Sequence, residues 1–328
     1  MTSPKYLLAI FLLAAATLQA QQDRAVYGQP VFDEDNEALK EQYKAREAVR
    51  DSITGAIISS RSEAETEAKR NHPWLLMDLA DLERPAGPAD FEQVWHRPPV
   101  AQYETGTCWS FCSTSFLEAE VHRRVGLEIK LAEMHTVYWE YVEKARRFVR
   151  ERGHSNFGQG SETGNALWII AKYGAVPAEE YTGLVDWDKH QHAGLSAELE
   201  ASLESLHGTG YWDEATALHM VQGILDKHLG PPPESIRHGR KNYTPVEFAR
   251  KVLRFDTDDY VHVISTLAKP FWSRGEWVVP DNWWHDSSYV NVPLADWYAL
   301  IGSALAGGYS MTISGDVSEP GIQGVLDV

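Results

Sequence analysis

The clearest periodicity in the chain lies over residues 108–125. Trp109, Cys112, Phe116 and Ala119 recur three and four residues apart, which is the spacing of one helix face. Gly126 follows as a stop signal. A second helix is predicted over 131–150, with Leu131, Met134, Tyr138, Tyr141, Val142, Ala145 and Phe148 on one face and Gly153 beyond its end. His135 on this helix reads as a packing residue. A third helix, 163–173, is entered through Phe157, Gly158, Gln159, Gly160 and Ser161. It is left through Gly174, Ala175, Val176 and Pro177. Residues 196–206 and 213–229 show the helical period again, and three prolines from Pro231 to Pro233 then break the chain. Thr244 and Glu247 are spaced as a capping box with Pro245 between them, which opens a helix reaching 254.

Beyond residue 255 the pattern changes. Residues 260–265 and 309–314 alternate apolar and polar positions, and 277–279 is a short β-prone run, so all three are expected as strands. A helix over 293–306 lies between them, closed by Gly307 and Gly308. Helices first and strands last is the order of an α+β domain. The start of the chain differs again. Residues 21–70 are polar and charge-rich, with too few apolar positions over 36–50 to build a core-facing stripe. They read as a leader lying on the surface or partly disordered. Residues 1–20 have the form of a secretory signal: Lys5, an apolar run over 6–18, and a small residue, Ala20, at the cleavage position. The run is too short to span a bilayer comfortably, and an uncleaved anchor is the alternative. The expected location is therefore secreted or periplasmic, with no transmembrane segment after cleavage.

Composition narrows the function classes. A net charge of −17 argues against nucleic acid as a partner. A hydrophobic content of 43% with 12 Trp supplies a substantial core. The 2 cysteines, Cys108 and Cys112, stand four apart on one predicted helix. Their Cβ vectors run nearly parallel there, which is poor geometry for a disulfide. No metal or cofactor is expected, and the oligomeric state is left open.

The chemistry concentrates around Cys108. It opens the first helix, just after Thr105, Gly106 and Thr107, where the positive end of the helix macrodipole favours the thiolate, the form that attacks. Gln102, six residues earlier, offers an amide donor. With the Cys108 backbone N–H it would hold the oxyanion of a tetrahedral intermediate.

The pattern Gln102-x3-Gly106-x-Cys108-Trp109-x2-Cys112-Ser113 resembles the active-site cysteine signature of the papain-like cysteine proteases. The wider run over 105–118 resembles the bleomycin hydrolase/aminopeptidase C branch more than papain itself. So do Val279 to Trp283, Asn291 to Leu294, Gly308 to Ser310 and Gly315 to Glu319. The resemblance implies a papain-like α+β fold with the nucleophile on a helical half, a β-rich half, a helical insertion over about 180–255, and peptide substrates. It implies Cys108 as nucleophile, Gln102 in the oxyanion hole, and Trp109, Gly158 and Gly160 at the substrate. A plain helix-entry loop is the alternative reading of Gly158 and Gly160. In the branch, the catalytic His and Asn follow the segment matched here by 315–319, so the 328-residue chain is expected to be a truncated and nearly inactive enzyme, or a peptide-binding protein that does not cut. A local base remains open: His262, on an expected strand, with Asn282 and Trp283 some twenty residues on.

Overall fold

The computed structural model describes residues 86–185 and 188–314, together with helical positions scattered between 38 and 67. Two compact units divide the chain, one made of Met1–Asp78 and Ser318–Val328, the other of Leu79–Val317. Of the first unit, the described residues are helical and exposed. The expected signal segment and most of the leader lie outside the described residues.

The second unit is built around a helix that the sequence marks strongly. Helix α1 is Cys108–Val125, α2 is Glu133–Arg150 and α3 is Thr163–Tyr173. Helices α4, Ala193–Thr209, and α5, Glu214–Leu229, follow. Helix α2 is the hub, with α1, α3 and α5 all packed on it. Its apolar face explains this: Met134, Val137, Tyr138, Val142 and Ala145 are all but inaccessible. Removing Met134, Val137 and Val142 from water contributes about 1.5–3 kcal/mol each. Ala166 and Ala217, on the neighbouring helices α3 and α5, are fully covered too.

Helix ends follow the expected devices. Gly126 takes a left-handed φ of 67° and donates its N–H to His122 O at 2.8 Å, closing α1. Gly174 has φ 82°, and a Cβ there would stand 2.0 Å from the carbonyl carbon of Pro245. Only glycine lets the exit of α3 run this close to the start of α6, Pro245–Lys251. The capping box of α6 is present in both directions, Glu247 N to Thr244 Oγ1 at 3.2 Å and Thr244 N to Glu247 Oε2 at 3.1 Å. That helix stops at Lys251 and not at 254. Leu253 N turns back to Phe248 O, Phe255 N turns back to Ala249 O, and Arg254 takes a positive φ of 53°.

The β structure is smaller than the alternation suggests. A hairpin of β1, Ile236–His238, and β2, Lys241–Tyr243, turns through Gly239 at φ 62°. A three-stranded sheet places β5, Tyr289–Asn291, between β3, Val263–Ile264, and β4, Ser273–Gly275. Strand β5 runs parallel to β3 and antiparallel to β4, with Val290 opposite both Val263 and Arg274. Three strand expectations are corrected. Of 260–265 only two residues pair. The run 277–279 is folded into a turn, its Trp277 carbonyl taken by Val279 N and by the Asn282 amide. Residues 309–314 form no strand. They lie along α1, with the Arg123 guanidinium 4.1 Å from the Tyr309 ring centroid. Helix α7, Leu294–Ala306, precedes them and has no buried residue.

Candidate active site

Cys108 is the first residue of α1 and is exposed, while its neighbour Trp109 is buried at 6% exposure. Thr107, the residue before the helix, accepts through its carbonyl from Ser110 N at 2.9 Å and Phe111 N at 3.3 Å. No side chain caps the helix. The Cys108 N–H is thus one of the orphan first-turn donors, free for a ligand.

The turn that delivers Cys108 is held tightly. Gln102 Nε2 donates to Thr105 O at 2.8 Å, and Thr105 Oγ1 bonds back to Gln102 O at 3.1 Å and to Thr107 Oγ1 at 2.6 Å. Tyr103 sits at φ 53°, a sterically costly conformation for a residue with a Cβ. One amide hydrogen of Gln102 is committed to the turn. On one flank, Glu104 N bonds His190 O at 3.2 Å and His192 N bonds Glu104 O at 3.1 Å.

On the other flank stands the glycine-bearing loop. Gln159 Oε1 accepts from Gly106 N at 2.7 Å, and Gln159 O accepts from Trp109 Nε1 at 2.8 Å. A Cβ on Gly106 would come within 2.8 Å of the Gln159 side chain, so this glycine is what admits the contact. Trp109 therefore acts by anchoring Gln159 from inside. Gly158 and Gly160 both turn their carbonyls to Lys144 Nζ, the first at 2.8 Å. The loop touches the cysteine turn through Gln159, at Gly106 and Trp109.

Sequence reasoning missed the support beneath this loop. Lys144 and Glu140 stand on α2 at 1% exposure each. Glu140 Oε1 accepts from Trp283 Nε1 at 2.6 Å and from Ser161 Oγ. Burial pushes the Glu140 carboxyl up, against the pull of Lys144 and these donors, and burial pushes the Lys144 ammonium down, against Glu140 and Asp281. Gln159, between the two glycines, was also passed over. The spacing of Glu140 and Lys144, four apart, was the available signal.

Cys112, one turn into α1, is exposed too. Desolvation and the neighbouring Cys108 push its thiol up, opposed by a backbone hydrogen bond from Ile313.

No protein-family model matches the chain. It is 23% identical over 210 residues to an aminopeptidase C from Lactobacillus delbrueckii subsp. lactis, across 52% of this chain and 47% of the relative. An aminopeptidase W of the same organism is 24% identical over 204 residues, across 49% and 45%. This chain is related to the aminopeptidase C branch. It spans about half the length of the curated relatives it matches. The crystal structure of PepW from Lactobacillus rhamnosis HN001 superposes with a TM-score of 0.50 at 18% identity, covering 63% of this chain and 56% of that one. The shared fold mixes helices and sheet.

Among the described residues no histidine hydrogen-bonds to Cys108. His262 lies against Gly164 and Asp286 and lines a cavity of about 520 Å³ that includes Phe116 but not Cys108. Phe116 is eight residues along α1, roughly 12 Å by helix rise. Burial pushes His262 down, against the pull of Asp286. Asn282 does not orient it. That amide donates to Trp277 O at 2.8 Å and Asp286 O at 3.3 Å and accepts from Asp286 N. His135 is buried beside Trp139, as a packing residue. His238 packs its ring on Phe248.

His190, His192 and His228 line a small cavity, and the backbones of His190 and His192 bond Glu104. His192 is 2% exposed with both ring nitrogens unpartnered. Burial, then His190 and His228, push it down to about 4. That folded value lies below the ordinary 6.5, so the unfolded chain takes up the proton first and stability falls as pH drops from 6.5 toward 4. Replacing His192 by Gln is expected to flatten this acid-side slope by about 1.4 kcal/mol per pH unit. Urea melts of both proteins across the window read it; equal slopes would show that His192 titrates as in the unfolded chain.

Proposed function

We propose that the protein is a cysteine peptidase of papain-like α+β architecture, acting through a Cys108 thioacyl intermediate and removing residues from the amino end of peptides. The observation that carries this reading is the exposed Cys108 at the start of α1, between the Gln102 turn and the docked 157–161 loop. Similarity to aminopeptidases C and W over half the chain supports the exopeptidase class. The apolar run near the N-terminus supports a secreted or periplasmic location.

The chemistry follows from the parts. The thiolate adds to the scissile carbonyl. The oxyanion falls between the Cys108 N–H and the second hydrogen of the Gln102 amide. Collapse expels the amine, which must leave protonated, and water then cleaves the thioester. Protonation of the amine is the step with no donor beside Cys108 among the described residues. General acid–base assistance is worth about 10²–10⁴-fold. Peptide turnover by the 328-residue chain is therefore expected to be slow, while capture of a peptide at Cys108 persists. A second reading, a peptide-binding member of the branch that does not cut, uses the same site without turnover.

The test compares peptidyl vinyl sulfones with free and acetylated amino ends. Saturable reaction at the cysteine, faster for the free-amine reagent, is the expected result. Equal, unsaturable rates for both would sink the peptidase reading. Peptide turnover at a normal rate, abolished by His262→Ala, would place the base at His262 and make the slow-turnover expectation wrong.

A further inference from the structure

We propose that Lys144 is the positioning residue of the 157–161 loop, holding its peptide planes so that the loop offers N–H donors to the backbone carbonyls of a bound peptide. The inference rests on the peptidase reading of Cys108 and deepens it. Lys144 is 1% exposed on α2. A buried ammonium needs acceptors, and it finds them in the carbonyls of Gly158 and Gly160. The carbonyl between them, that of Gln159, is taken by Trp109 Nε1. Three successive carbonyls are thus drawn into the body of the unit.

In a trans peptide the C=O and the following N–H point opposite ways. The N–H of Gln159 therefore faces away from Lys144, and that of Gly160 away from the Trp109 indole. These donors lie in the loop whose Gln159 side chain touches Gly106, two residues before Cys108. A loop that spends its carbonyls inward recognises a peptide by the peptide's own carbonyls. Gly160 has no room to vary, since a Cβ there would stand 2.2 Å from Asp281 Oδ1. The charge is sustained by Glu140, fixed in turn by Ser161 and Trp283, and by Asp281. An apolar residue at 144 would fill the space but leave two carbonyls unpaired and their planes free to turn.

Two reagents separate positioning from bulk structure. Iodoacetamide, followed at Cys108 by peptide mass mapping because Cys112 is exposed too, reads that thiol without the loop, and a peptidyl vinyl sulfone reads the thiol and the loop together. In Lys144→Met the ratio of peptidyl to iodoacetamide rate is expected to fall about 10–100-fold, the scale of a misplaced binding group, with the iodoacetamide rate unchanged. A peptidyl reagent whose carbonyl next to the warhead residue is reduced to methylene should lose rate on the native protein and not on the variant. An unchanged ratio, or a parallel fall in both rates, overturns the assignment. If Lys144→Met does not fold, the double variant Glu140→Gln with Lys144→Met removes the stranded carboxylate, and the same ratio decides. A native protein with no preference for the peptidyl reagent would instead defeat the peptidase reading itself.

Discussion

Cys108→Ala is expected to abolish labelling by a thiol-directed peptidyl epoxide, and Cys112→Ala to leave it intact. Both thiols are exposed and only one helical turn apart, so accessibility alone does not choose between them. Position does. Cys108 occupies the first residue of α1, where the unpaired N–H groups and the helix dipole stabilise negative charge. Cys112 lies past the first turn, where that field has fallen off. Its thiol is pushed up by desolvation and by the neighbouring Cys108. Peptide mass mapping of the labelled protein distinguishes the two sites. Loss of labelling in Cys112→Ala alone would reassign the nucleophile and with it the oxyanion geometry.

Gln102→Ala is expected to slow acyl transfer to Cys108 by roughly 10²–10³-fold, the usual cost of one oxyanion-hole donor. An activated peptide ester is the informative substrate, because its leaving group departs without a proton and the step reports the oxyanion alone. Gln102 also ties the turn together through Thr105 O, so a control is needed. Iodoacetamide forms no oxyanion, and its rate should stay unchanged in the variant. Slowing of both reactions together would mean that the amide merely holds the turn. An unchanged ester rate would remove Gln102 from the site.

How much of this was legible depended on whether the signal was local. Helices α1 and α3 begin and end at the residues the periodicity marked, because glycine stops and apolar spacing are both short-range. The capping box of α6 was equally readable. The strands were not. Alternation over 260–265 and 309–314 describes a chain that would pair if a neighbour were there, and pairing is decided by what lies alongside. Strand β5 earned two partners through Val290, while 309–314 met α1 instead. At the site, Cys108, Gly106 and Gln102 were visible as one motif. Glu140 and Lys144 were hidden by their own chemistry. A Glu and a Lys four apart on a helix read as a solvent-facing pair, and only the approach of a loop carbonyl on each side gives the lysine a reason to be inside.

The turn before α1 is gripped from both sides, by Gln159 at Gly106 and by residues 190 and 192 at Glu104. Neither neighbour is close to it in sequence. The nucleophile's turn is thus expected to open together with two distant loops, and its bonded Glu104 and Gly106 amides to exchange with solvent only when those loops let go. Whatever loosens the 157–161 loop or the approach to α4 loosens the cysteine as well. Residues far along the chain therefore set how long the reactive geometry survives between openings.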